Sequence, residues 1–342
     1  MSNSNETSAL SQPADHASVG LNVVTTDIGE LEDYTVTDQV LDLHNTVSKN
    51  PRTTAIVNSL VKHAHAFLRE TMPTEAEYGI GLDFLNRVLK AGAMQGFEEF
   101  FNLTASLGVN TILDELWAPR PKGCTPSTLE GPYFVREKVP VLPSGSSICS
   151  PETKGEKVFF SGTIKDTQGN PVKGALVDVW QADGDGLYDV QYPNKVVDDR
   201  ARITAKDDGS FTFRGVMPIA YSLPGNGPTA ELLTALGRRP YRATHIHFHI
   251  DAAGYESLTT QIYPSNSIYI GDDSVFATKR ALICRIAEDT DVASWKKMGF
   301  EESEVTKCGG RVWVWEFDFV LPTPEECEAT KLALRKRLAM RV

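Results

Sequence analysis

The sequence predicts an α+β protein: an N-terminal helical domain, then a mainly antiparallel β-sandwich, closed by a C-terminal helix. Three observations carry this. From about Thr37 to Trp117 apolar residues recur at helical spacing. Prolines and glycines then break the pattern in APRPKGCTPSTLEGPYF. Beyond it, short stretches alternate apolar and polar residues between turns, at the spacing of sandwich strands. The expected organisation is a flexible polar tail over residues 1–34, a helical domain over 35–120, and the sandwich with its helix over 121–342.

The helical elements follow in order. VLDLHNTVSKN opens the series. In TTAIVNSLVKHAHAFLRE, Ile56, Leu60, Val61, Ala64 and Leu68 fall near one helical face. The third helix begins at MPTEAEYGIGLDFL, where Thr74-x-x-Glu77 has the form of a capping box. GFEEFFNLTASLGVNTILDELW reads as a fourth helical segment. His44, His63 and His65 lie in this part and read as ordinary helix histidines. The strands are KVFFSGTIKD, ALVDVWQAD, GSFTFRGV, HIHFHID, SLTTQIYP and RVWVWEFDFV. TPEECEATKLALRKRLAM reads as an amphipathic helix, and no internal repeat is present.

With 342 residues, 41% hydrophobic and 23% charged, the chain has globular composition and enough length for a large core. A net charge of -11 without a Lys/Arg run argues against nucleic acid as the main partner. No apolar run approaches the ~18 residues of a membrane span. The N-terminus shows neither the charged nor the apolar region of a secretory signal. The five cysteines are scattered, without a C-x-x-C pair, and read as reduced thiols of a cytoplasmic protein.

YRATHIHFHI places His245, His247 and His249 at every second position. On a strand, i and i+2 side chains share a face, roughly 6.5–7 Å apart. Two imidazoles can then converge on one metal, whereas three span about 13 Å. His-x-His is a metal signal of middling strength, and a third histidine points to another role. The usual partners are missing: no cysteine has helpful spacing for zinc, and the cupin glutamate is absent. Asp251 shares a face with His249 and leaves an iron site of two histidines and a carboxylate open. A half-buried strand with a polar outer face is the plain alternative to a metal site.

Two tyrosines stand out by context. Tyr188 ends VDVWQADGDGLY, after a Gly-Asp-Gly turn, and Tyr221 lies in a Pro/Gly-rich loop upstream of the histidines. The stretches STLEGPYFV, G-x-P-V-x-G-A-x-V-D-V-W-Q-A-D-x-x-G-x-Y, GPTAELL-x-x-L-G-R, H-I-H-F and LTTQIY together are specific. On them the chain resembles the intradiol ring-cleavage dioxygenases, in the branch of catechol 1,2-dioxygenase and hydroxyquinol 1,2-dioxygenase. The resemblance runs from about TEAEYGIGLDFL to the last strand.

The resemblance implies one Fe(III) per subunit, held by Tyr188, Tyr221, His245 and His247 with a hydroxide as fifth ligand. Phenolate is a hard anionic donor suited to a ferric ion. A small aromatic diol would bind as its dianion, Tyr221 serving as ligand and as base, and O2 would open the ring to a diacid. By matched position, Arg242 stabilises anionic character on the ring, Gln261 orients the diolate, and Leu129, Pro132 and Tyr133 line the pocket. The N-terminal helices would form a homodimer contact, with a lipid between them.

The chain departs from the family pattern in places. Ala243 and Thr244 stand where proline and alanine are usual, His249 replaces an aromatic, and Gln181 replaces a histidine. The substrate expectation is catechol, giving cis,cis-muconate, on the strength of EGPY and LTTQIY. YDVQYP and YSLPGNGP are similar to the hydroxyquinol type, the alternative. SGTIKDTQGNPVKGALVDV also resembles transthyretin-like modules that carry no metal, and a zinc or copper enzyme built on the three histidines is the remaining reading.

Overall fold

The computed structural model describes residues 36–95, 99–194, 196–223 and 227–339. The tail expected over 1–34 lies outside these residues. The chain divides into two compact units after Gly81. In the first, α1 (Val36–Val47) is followed by α2 (Pro51–Thr71). Asn50 caps α2 by accepting from Thr53 N at 3.0 Å, with Pro51 in the first turn, where no N–H is missed. Helix α3 (Glu75–Gln95) crosses the division. Its capping box forms as expected: Thr74 N and Oγ1 both donate to Glu77 Oε2, at 2.7 and 2.8 Å.

In the second unit the single helix expected over residues 96–117 is two, α4 (Glu99–Ser106) and α5 (Val109–Trp117). Gly108 separates them at φ 75, a left-handed conformation that ends a helix at little cost only for glycine. Among the described residues ten strands follow: β1 (Val141–Leu142), β2 (Lys157–Asp166), β3 (Leu176–Gln181), β4 (Arg200–Thr204), β5 (Ser210–Val216), β6 (Ile246–Asp251), β7 (Leu258–Pro264), β8 (Ile283–Cys284), β9 (Ile286–Asp289) and β10 (Val312–Leu321). Three short helices, α6 (Pro228–Ala235), α7 (Val292–Lys297) and α8 (Glu302–Lys307), are too short to show periodicity in sequence. The closing helix is α9 (Pro324–Ala339). Its half-buried positions Glu326, Cys327, Thr330, Lys331 and Leu334 recur at helical spacing, although Leu332 and Leu338 are exposed.

The strands form a six-stranded sheet, β1-β4-β3-β6-β7-β8, and a four-stranded sheet, β5-β2-β10-β9. Most neighbouring strands pair antiparallel, as expected, but both sheets also contain parallel pairs. β1 pairs with β4 in parallel, as does β7 with β8, and β10 runs parallel to β2 from Val312–Lys157 to Leu321–Asp166. Alternation reveals a strand but not its direction, and β10 reaches β2 from far along the chain rather than through a hairpin. Between the sheets lies an aromatic core. Phe160 sits 5.0 Å from both Phe213 and Phe248, and Phe319 lies 5.0 Å from Phe248. β6 is central and buried on both faces. Ile246, Phe248 and Ile250 face this core, so the alternate residues His245, His247 and His249 face outward beneath the loops. Among the described residues no helix is long and apolar enough to cross a membrane.

Candidate metal centre

The β6 register sets His247 between Trp180 of β3 and Gln261 of β7. The Trp180 ring stacks on His247 at 4.6 Å and 14°. Tyr188 follows β3 through a tight turn held by one carboxylate. Asp183 Oδ1 accepts from Asp185 N at 2.8 Å and Leu187 N at 3.1 Å. Gly186 in that turn has φ +81, and a Cβ there would lie 3.3 Å from Tyr221 Cβ. The turn therefore needs glycine both for conformation and for the approach of Tyr221. Tyr221 is fixed through its backbone, its carbonyl accepting from Arg242 N at 2.8 Å.

Four donor atoms meet. Tyr188 Oη lies 3.0 Å from His247 Nε2, 3.3 Å from His245 Nε2 and 3.3 Å from Tyr221 Oη. His245 Nε2 and His247 Nε2 are 3.1 Å apart, and Tyr221 Oη is 3.5 Å from His245 Nε2. Tyr188, His245 and His247 are fully enclosed, while Tyr221 is half-buried and forms the open side.

This donor set fits a cation. His245 Nδ1 lies 2.6 Å from Ala243 O, and a carbonyl only accepts, so Nδ1 carries the proton and the Nε2 lone pair points inward. Burial, then the Arg242 charge, holds the His245 pKa down to about 3, so the ring is neutral. Burial, then His245, lowers that of His247 as well, and its Nδ1 has no partner. Neutral imidazoles with their Nε2 atoms this close are stable when an electrophile sits between them. Burial pushes both phenols up, so each ionises readily only against a positive charge in their midst. Two oxygen and two nitrogen donors make a set suited to iron. Among the described residues no three His, Cys, Asp or Glu side chains gather to hold a metal, so a centre here must use the tyrosines. His249 stays apart: Nδ1 pairs with Thr259 Oγ1 at 2.8 Å and Nε2 with Asp251 Oδ2 at 3.1 Å.

The remaining site residues are placed as follows. Arg242 Nη2 donates to Gln261 Oε1 at 2.6 Å, and Tyr263 Oη donates to the same oxygen at 2.6 Å. Gln261 Nε2 donates to Leu129 O at 2.7 Å, so only its second Nε2 hydrogen remains free to meet a ligand. Leu129 packs on a cluster of Ala105, Leu223, Leu233, Val275 and Ala277. The Tyr133 ring stacks on Tyr188 at 4.5 Å, whereas Pro132 is exposed. Gly131, not Pro132, approaches the histidines: a Cβ there would lie 3.3 Å from His247 Cε1. Sequence reasoning also missed Asp273, Tyr263 and the Arg200–Asp189 pair. Nothing in GDDS or LYDVQ distinguishes Asp273 or Asp189 from surface acids, and only a contact map finds them.

Residues 129–323 match the Dioxygenase family, and residues 50–125 match the Catechol dioxygenase N terminus family. The chain belongs to the intradiol ring-cleavage dioxygenases. The 6-chlorohydroxyquinol 1,2-dioxygenase of Cupriavidus pinatubonensis is 39% identical over 71% of this chain and 87% of its own length. The hydroxyquinol 1,2-dioxygenase of a Rhizobium species is 34% identical over 80% and 90%. Among solved structures, the Pseudomonas putida hydroxyquinol 1,2-dioxygenase superposes with a TM-score of 0.76 at 30% identity, covering 84% of this chain and 97% of that one. The catechol 1,2-dioxygenase of an Acinetobacter species gives 0.68 at 27%, covering 87% and 94%. This intradiol dioxygenase is thus an oxidoreductase, which displaces the reading as a metal-free transthyretin-like module. Its family acts on aromatic diols with O2 and uses non-haem iron.

Proposed function

We propose that this intradiol dioxygenase is Fe(III)-dependent and prefers hydroxyquinol, opening its ring between adjacent hydroxylated carbons to 3-hydroxy-muconate, a tautomer of maleylacetate. The observation that carries this is the convergence of Tyr188, Tyr221, His245 and His247. The substrate choice is supported by relatives of 39% and 34% identity that bear the hydroxyquinol name. Catechol, favoured by EGPY and LTTQIY, becomes second choice. Those motifs supply Tyr133, stacked on Tyr188, and Gln261, bonded to Arg242, and both residues serve the ring cleavage common to the two substrates in this reading.

Tyr188, Tyr221, His245 and His247 would hold one ferric ion per subunit. When bound, the ion neutralises the diolate and draws electron density from its ring, so that O2 can react at a ring carbon. Tyr221 Oη, on the open side, would take one proton of the incoming diol. Arg242 sets a permanent charge against the anionic ring. Gln261 is locked by three hydrogen bonds and offers its last N–H. Leu129 and Tyr133 flank the ring and exclude water, with Pro132 at the outer margin.

We infer further a cytoplasmic homodimer joined through the N-terminal helices, with an apolar ligand such as a lipid between them. Exposed apolar residues on α2 and five free cysteines support this reading. Iron-loaded protein is expected to show a broad visible tyrosinate band that shifts when a diol is added. O2 uptake is expected to give a higher kcat/KM for hydroxyquinol than for catechol. A colourless iron-loaded protein overturns the metal centre, and faster turnover of catechol overturns the substrate.

A further inference from the structure

Arg242 is a buried charge, and its partner is not one of the groups given a role so far. Its Nε donates to Asp273 Oδ1 at 2.8 Å, with side-chain exposures of 6% and 2%. The other carboxylate oxygen accepts from Ala277 N at 3.0 Å, Thr278 N at 3.2 Å and Thr278 Oγ1 at 3.2 Å. With both oxygens engaged from different directions, the carboxylate cannot turn. Burial alone would raise the Asp273 pKa, yet the Arg242 charge and hydrogen bond outweigh it and hold the carboxyl below its ordinary value.

The loop around this carboxylate is constrained at several points. Ser274 N donates to Tyr241 O at 2.9 Å, next to Arg242 in sequence. Phe276 has φ 56, unusual for a bulky residue, and Arg238 covers its ring at 4.2 Å while donating to the Asp273 and Ser274 carbonyls. The same loop carries Val275 into the apolar cluster on which Leu129 packs. Asp273 therefore links two things a substrate would meet, the arginine and the pocket wall. It takes the Nε side of the guanidinium, which leaves the Nη side for Gln261.

We propose that Asp273 is a positioning residue for ring cleavage: it aims the Nη edge of Arg242 into the substrate site and locks the arginine to the loop over residues 273–278. The inference rests on the reading of Arg242 as the group that stabilises the anionic ring. Asp273→Asn keeps the shape, but a neutral amide has one acceptor oxygen and cannot serve both the guanidinium and the loop N–H groups.

The test is a double-variant cycle on the iron-loaded enzyme with hydroxyquinol and O2. Asp273→Asn is expected to retain iron and the visible band, to lower kcat about tenfold, and to move KM less than kcat. Arg242→Lys is expected to lower kcat as well, and the double variant to be no slower than the slower single variant, since both act through one guanidinium. Asp273→Glu, which keeps the charge, is expected to recover part of the loss. Unchanged kcat in Asp273→Asn beside a slowed Arg242→Lys overturns the role of Asp273 alone. Losses that multiply, or loss of iron in Asp273→Asn, also overturn it by assigning the residue a separate structural part. An unchanged rate in Arg242→Lys overturns the reading of the arginine and this inference with it. Should Asp273→Asn fail to fold, Thr278→Val removes a single support of the carboxylate. A fall of about threefold in kcat with iron retained then supports the proposal, and an unchanged kcat overturns it.

Discussion

At the scale of single residues, two histidines on the same face of one strand carry different chemistry. His247 Nε2 faces the other three donors, while His249 is occupied by Thr259 and Asp251. His249→Phe is expected to keep iron content and the visible band, losing about 1 kcal/mol of stability from its hydrogen bonds. His247→Ala is expected to lose both iron and colour, read by metal analysis and absorbance. Asp199 gives a pH prediction. It is 4% exposed, its Oδ1 has no partner, and burial, opposed in part by a hydrogen bond with Cys149, pushes its pKa up to about 8. The unfolded carboxyl titrates near ~4, so between those values the folded state binds more protons and loses stability as pH rises. Its φ of 51 is one that asparagine tolerates. Asp199→Asn should therefore raise Tm little at pH 5 and by several degrees at pH 9 in paired melting curves. An equal gain at both values would show that the carboxyl is not protonated when folded. The four donors were legible in sequence because their motifs are specific. Asp199 and Asp273 were not, since an acid reads as a surface residue until its burial is known.

At the scale of elements, one ion pair fastens three pieces of the site. Arg200, at the start of β4, donates through Nε to Asp189 Oδ2 at 2.7 Å and through Nη2 to Oδ1, and its Nη1 reaches Tyr133 O at 3.1 Å. Asp189 follows Tyr188 directly, so the start of β4, the turn carrying Tyr188 and the segment carrying Tyr133 meet at one guanidinium. The pair is 3% and 4% exposed. Arg200→Ala leaves the carboxylate buried and alone, and is expected to cost about 3–5 kcal/mol in urea unfolding. Because Tyr188 is then less firmly held, iron should also dissociate faster in a chelator competition. Normal iron retention in a destabilised variant would confine the pair to folding. Strands were legible as alternation, since one face of each packs on the core. The direction of β10 and the break at Gly108 were not, because each depends on a contact or a backbone angle that periodicity does not encode.

At the scale of the whole molecule, the change from helical spacing to alternation across a Pro/Gly-rich stretch separated a helical from a β part, yet the motifs did not settle the substrate, since they pointed in two directions. Oligomeric state belongs to this scale too. Neither α1 nor α2 has a buried residue in the single chain. On α2, Ile56, Leu60 and Phe67 are 52%, 67% and 59% exposed and recur at helical spacing along one face. Water is a poor neighbour for such a face, and burying a leucine gains about 1.5–3 kcal/mol. A partner copy that covers it would receive this gain from both subunits, as a two-fold contact repeats each residue. Leu60→Glu places a charge in the middle of the face. Light scattering is expected to show the unchanged chain at twice its monomer mass and Leu60→Glu at the monomer mass at the same concentration. All four proposed iron donors come from a single chain, so the monomeric variant should keep its iron and visible band. A dimer undisturbed by Leu60→Glu would move the contact elsewhere on the molecule. A monomer without iron would show that the centre depends on assembly.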